Sequence, residues 1–210
     1  MTLDQISVLF HASLGGLALL SGGVSIGAKK GSKLHKKSGK LFYYSMLLSS
    51  IVAIFITLLP SKRNPFLFSI GIFSLYFLLG GYRSLRFKNT TIDLRIDKLI
   101  AYVMMLTSVL MVLIPVVFYS KINIILTVFA LIGFIFSWRD LGLFKNPNQL
   151  KTKWLKLHLG KMTGAYIASV SAFFVVNQIL PGIWNWFVPS IFGTIYTSFW
   201  MRKVSPKRKT

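Results

Sequence analysis

LIAYVMMLTSVLMVLIPVVFYS, residues 99–120, holds no charged side chain over 22 positions and decides the fold class. As a helix it is about 33 Å long, enough to cross the ~30 Å hydrocarbon core of a bilayer. A second run, NPFLFSIGIFSLYFLLGGY at residues 64–82, is uncharged over 19 positions. Inside a bilayer no water is present to bond the backbone, so uninterrupted apolar runs of this length fold as helices. Composition extends the reading to the whole chain. Of 210 residues, 54% are hydrophobic and 14% charged, against about 25% charged in ordinary soluble domains.

Outward from residues 99–120, apolar runs between charge clusters predict seven helices at about 6–28, 41–59, 65–81, 99–120, 122–138, 155–178 and 183–201. Only Ser120, Lys121 and Asn123 mark the division between the fourth and fifth, and merging those two would give six. Pro60, Pro65 and Pro181-Gly182 mark turns, where a missing N–H and a permissive φ do no harm. No repeat at a fixed period is evident. The expected class is an all-α polytopic transmembrane bundle, a single domain over residues 1–203 with a basic, disordered tail at 204–210.

The net charge is +21, from 25 Lys and Arg against four Asp and no Glu. In a soluble chain this excess would point to nucleic acid. Here the bases fall between the spans, which makes them topology signals, and no nucleic-acid partner is expected. Six lysines (Lys29, Lys30, Lys33, Lys36, Lys37, Lys40) follow the first helix, and Lys62 and Arg63 follow the second. Five bases follow the third, Lys121 alone follows the fourth, six surround the start of the sixth, and five close the chain. Alternation puts 22 on one side and three on the other. With the rich side cytoplasmic, the N-terminus is outside, the C-terminus is inside, and the site is the inner membrane. Anionic inner-leaflet lipids are the expected neighbours of these bases.

Residues 1–10 carry Asp4 and no base, unlike the basic start of a cleavable signal peptide, so the first helix is read as a retained span. The absence of Cys excludes disulfides and thiol chemistry. No GxSxG, HExxH, Walker loop, dinucleotide fingerprint or intramembrane aspartate pair is present, which argues against hydrolysis and phosphoryl transfer.

The polar residues within or beside spans are the candidates for chemistry. His11, Gly15, Ala18, Gly22 and Ser25 recur at steps of four and three and so share one face of the first helix. That stripe serves close helix packing, or it presents His11 as a ligand or proton relay. His158 and Met162 are four apart on the sixth helix, and imidazole and thioether are both haem and copper ligands. Met also fills gaps in apolar helices, so packing is the competing reading. His35 lies in the basic loop about a turn before the second helix, at the depth expected for His158. His11 is expected roughly 20 Å away from His158 in depth, too far to share an ion. Asp93 and Asp97 share a face at the start of the fourth helix, with Arg83 within reach, and Arg139 and Asp140 close the fifth. These groups read either as interfacial ion pairs or, with Tyr43, as a polar cytoplasmic vestibule.

HASLGGLALLSGGVSIGAKKGSKLHKKSGKLFYY at residues 11–44 and HLGKMTGAYIASVSAFFVVN at residues 158–177, followed by a Pro and a Trp-rich helix, are the most distinctive segments. They resemble an uncharacterised bacterial multi-pass membrane-protein family, domain of unknown function 2306. The matching positions are His11, Gly15, Ala18, Leu19, Gly22, His35, Gly39 and Tyr43, then His158, Met162 and Tyr166. The resemblance covers about half the chain and implies the same multi-helix fold without an assigned activity. Lys36 stands where that pattern has Arg, and Lys lacks the forked geometry for a bidentate anion contact.

Three functions follow as expectations. One is a redox protein holding a haem, such as haem b, or a metal near the cytoplasmic face through His158 with His35 or Met162. Another is a proton-coupled permease using His11 outside and Asp93, Asp97 and His158 inside. The third is a membrane scaffold whose small-residue faces serve packing.

Overall fold

The computed structural model describes residues 2–89 and 92–204. Its elements are helices α1 (Leu3–Gly27), α2 (Lys33–Leu58), α3 (Pro65–Arg83), α4 (Arg95–Tyr119), α5 (Ile124–Phe144), α6 (Pro147–Asn177) and α7 (Trp184–Lys203). Single 3-10 turns cover Pro60–Lys62 and Ser84–Arg86. Among the described residues there is no strand. Six helices, α1 to α6, are long and apolar enough to cross a membrane, and the chain is a multi-pass helical membrane protein. The seventh, α7, carries Asn185, Pro189 and several Ser and Thr, which lower its apolarity. The tail read at 204–210 has only Val204 within the described residues.

From α2 onward, the expected and observed limits agree within two residues at the ends poor in Lys and Arg. At the basic ends the helices run on. α2 starts at Lys33 rather than 41, α4 at Arg95 rather than 99, α5 continues to Phe144 rather than 138, and α6 starts at Pro147 rather than 155. Hydropathy reports where the apolar run ends, whereas Lys and Arg are good helix formers that let the backbone ladder continue beyond it. His35 therefore lies in the first turn of α2, not in a loop. Ser32 caps that turn by accepting from the His35 N–H at 3.2 Å.

Local chemistry fixes the other ends. Thr2 and Gln5 form a reciprocal capping box on α1, and Asn123 accepts from Leu126 N at 3.0 Å to start α5. Ser120 and Gln178 follow α4 and α6 at φ 49°, the left-handed conformation that ends helices, taken here by residues with a Cβ.

The chain divides into two compact units. The first, Met1–Leu78, is an antiparallel α1–α2 hairpin with the opening turns of α3, on which Gly71 abuts Ile54 of α2. In the second, Leu79–Thr210, α4 pairs with α5 and α6 with α7. Gly133 of α5 sits against Met104 and Ser108 of α4. The α6–α7 pair is in antiparallel register: Thr197 donates to Thr163 at 2.9 Å, Gly193 meets Ile167, and Gly160 meets Met201. An apolar core of Phe87, Ala101, Phe144 and Leu150, flanked by Trp154 and Leu157, gathers near the basic ends of α4, α5 and α6.

The surface is apolar where a soluble protein would be polar. Leu20 is 73% exposed, Phe118 75% and Val176 82%. Exposure of this kind all along the helices is stable only against lipid. Exposed Tyr102 and Tyr119 bracket α4 at about 25 Å apart, matching aromatic belts at the two edges of a bilayer.

Candidate functional site

Polar groups of the second unit converge on the last turn of α3, Gly80 to Arg83. Arg83 reaches Asp97 of α4 through a fork, Nε to Oδ1 and Nη2 to Oδ2, both 2.8 Å. Bidentate pairing fixes orientation as well as charge. One turn back on α3, Gly80 leaves room for Lys161 of α6, whose Nζ would lie 2.7 Å from a Cβ placed there. Lys161 Nζ donates to Asp140 Oδ2 of α5. Both side chains are buried, at 7% and 5% exposure. Each lies 16 residues from the opposite end of its helix, Ile124 or Asn177, about 24 Å along the axis and so within a ~30 Å apolar slab.

One turn before Lys161, His158 Nδ1 lies 2.8 Å from the Gly81 carbonyl oxygen. A carbonyl only accepts, so Nδ1 carries the proton. Met162 packs its sulfur and main chain on the same Gly81. His158 and Met162 thus do stand side by side, as their spacing suggested, with the α3 backbone as their shared neighbour.

The other two histidines belong to the first unit and repeat one geometry. His11 Nδ1 donates to the Ser49 carbonyl at 2.9 Å, with Ser49 Oγ also at 2.9 Å, and Ser49 Oγ–H returns a bond to the His11 carbonyl at 3.1 Å. His35 Nδ1 donates to the Ser25 carbonyl at 2.9 Å, with Ser25 Oγ at 3.1 Å, and Ser25 Oγ–H returns to the His35 carbonyl at 3.3 Å. Gly15 and Gly39, each one turn past its His, lie against Ser49 and Ser25. The underlying pattern is a repeat: His, Gly, Ser, Ser at 11, 15, 21 and 25 recurs at 35, 39, 45 and 49. Overall similarity between the two stretches is low, because only five positions in 15 are shared, Leu17 with Leu41 being the fifth.

Of the remaining expected site residues, Asp97 and Asp140 are buried in the pairs above. Asp93 is exposed and accepts from the Arg95 main-chain N–H at 2.9 Å. Arg139 is exposed on α5. Neither joins the buried cluster. Tyr43 lies in the first unit, buried and edge-on to Tyr44 at 5.1 Å. Sequence reasoning missed Lys161 by counting it with the basic loop. Its signal was position: it stands three residues after His158, between Gly160 and Met162, on the small-residue stretch of the span. Among the described residues no three His, Asp or Glu side chains gather as a metal-binding group.

No family model, curated protein or solved structure matches the chain.

Proposed function

We propose that this protein is a proton-coupled carrier for a small solute, built from seven spans with the N-terminus outside and the C-terminus inside the cytoplasmic membrane. The observation that carries the reading is the Asp140–Lys161 pair, buried between two spans. An acid and a base at that depth are costly to bury and commonly mark proton or ion pathways. Neutralising Asp140 weakens its pair with Lys161 and so changes what holds α5 to α6, which is the coupling a carrier needs. The basic excess at one set of helix ends supports the orientation. The register of α7 along α6, from Gly160 to Ser171, supports the seventh span, since a helix paired over that length travels as deep as its partner. Membership of the resembled family belongs to this reading and rests on the His, Gly and Tyr positions given above.

Proton entry into liposomes loaded with a pH-reporting dye tests the role, on adding a mixture of amino acids, sugars and small organic acids. The wild type admits protons faster than empty liposomes, and the Asp140→Asn/Lys161→Met double variant loses that excess while Asp93→Asn keeps it. Equal rates for wild type and double variant would overturn the assignment.

One observation favours a second reading, a haem or metal redox role with His158 and Met162 as ligands. A ligating imidazole commonly donates its other ring N–H to a backbone carbonyl, as His158 does to Gly81. Under this reading the purified protein shows a haem band that shifts on reduction and is lost in His158→Ala. A spectrum unaffected by that change removes it.

A further inference from the structure

The first two turns of α2 carry Lys33, Lys36, Lys37 and Lys40, all exposed. At 100° per residue they fall within an arc of about 100°. The residues that face α1, among them His35 and Ser38, lie on the other side of the helix. The lysine arc continues along α2 as an apolar strip. Leu41, Tyr44, Leu48, Ile51, Phe55 and Leu58 follow on the same side, each 46% to 58% exposed. No acid of the first unit offsets the lysines. Its single carboxylate, Asp4, sits at the start of α1 and accepts from Ser61 beyond the far end of α2.

We infer that this face of α2 is a binding strip for an anionic glycerophospholipid, with the phosphate headgroup on the four lysines and an acyl chain along Leu41, Tyr44 and Leu48. Charge complementarity selects an anion. Direct continuation into exposed apolar surface selects one that carries a hydrocarbon chain, because a soluble polyanion gains nothing from Leu41 to Leu48. Lys30 is set apart from the strip, since its Nζ bonds the Ile26 and Ser25 carbonyls that end α1.

Native mass spectrometry of the full-length protein in detergent, titrated with phosphatidylglycerol or phosphatidylcholine of the same chain length, tests this. The wild type retains phosphatidylglycerol preferentially. Replacing all four lysines by Gln weakens that binding at least tenfold, replacing them by Arg preserves it, and Lys62→Gln at the opposite end leaves it unchanged. The quadruple Gln variant is checked for an unchanged melting temperature, and the pairs Lys33→Gln/Lys37→Gln and Lys36→Gln/Lys40→Gln serve if it does not fold. Full retention in the Gln variants, or equal binding of the two lipids, overturns the inference. Displacement of bound phosphatidylglycerol by inorganic phosphate at matched concentration also overturns it, since the headgroup alone would then account for the binding.

Discussion

At the scale of single residues, the buried ion pair is the most exposed to test. Removing one partner of a buried pair unbalances its charge away from water, which typically costs about 3–5 kcal/mol, whereas removing both leaves two neutral side chains. Asp140→Asn and Lys161→Met are therefore each expected to lower the unfolding midpoint in detergent strongly, with the double variant recovering most of the loss. Additive losses would show that the two groups do not depend on each other. Ser120 and Gln178 offer the opposite sign. Both hold a Cβ in left-handed backbone, where glycine is free of that strain. Ser120→Gly and Gln178→Gly are each expected to stabilise by a few tenths to about 1 kcal/mol, read as a small rise in melting temperature.

At the scale of helices, the three histidines share one use: an imidazole Nδ1–H on the backbone carbonyl of a neighbouring helix, opposite Ser49, Ser25 or Gly81. Small residues at those points let the backbones come close enough for the ring to bridge them. His11→Ala and His35→Ala should cost similar amounts, about 1 kcal/mol each. The two should add, because the sites are about 21 Å apart along α1. Unequal costs, measured by denaturant titration, would show that the duplicated geometry is not duplicated energetics. Gly133 marks a different kind of contact. A Cβ there would collide with the Met104 methyl and Ser108 Oγ, so Gly133→Ala forces both side chains to move within the α4–α5 contact and is expected to destabilise by about 1–3 kcal/mol. The small-residue stripe of α1 was legible from spacing alone, since Gly15 and Ser25 fall on one helical face whatever they meet. What they meet was not legible: that His11 faces Ser49 depends on how two helices fold back on each other.

At the scale of the molecule, runs such as residues 99–120 made the helix count and the apolar limits readable, because lipid enforces a length that hydropathy records directly. The basic extensions of α2 and α6 escaped, since a lysine-rich helix and a lysine-rich loop look alike in hydropathy. So did the pairing of Lys161 with Asp140, two residues 21 positions apart in sequence that hydropathy treats as unrelated loop charges. The chain contains no Cys, so a single introduced thiol reports its side of the membrane without a background. A Cys at position 31 should react with an impermeant maleimide only from the cytoplasmic face, and one at position 62 only from outside. The reverse pattern would invert the orientation.

The duplicated His–Ser lock of the α1–α2 hairpin carries a consequence for how the protein is made. Its two halves exchange under a half-turn about an axis across the hairpin, His11 taking the place of His35 and Ser49 that of Ser25. This lock is therefore blind to direction: inserted upside down, the hairpin would form the same His–Ser hydrogen bonds. Its sidedness is left to the six lysines around its tip. Moving them ahead of α1 should turn the hairpin over in the membrane with its internal lock intact, as a topology encoded by charge on a frame that has no up or down of its own.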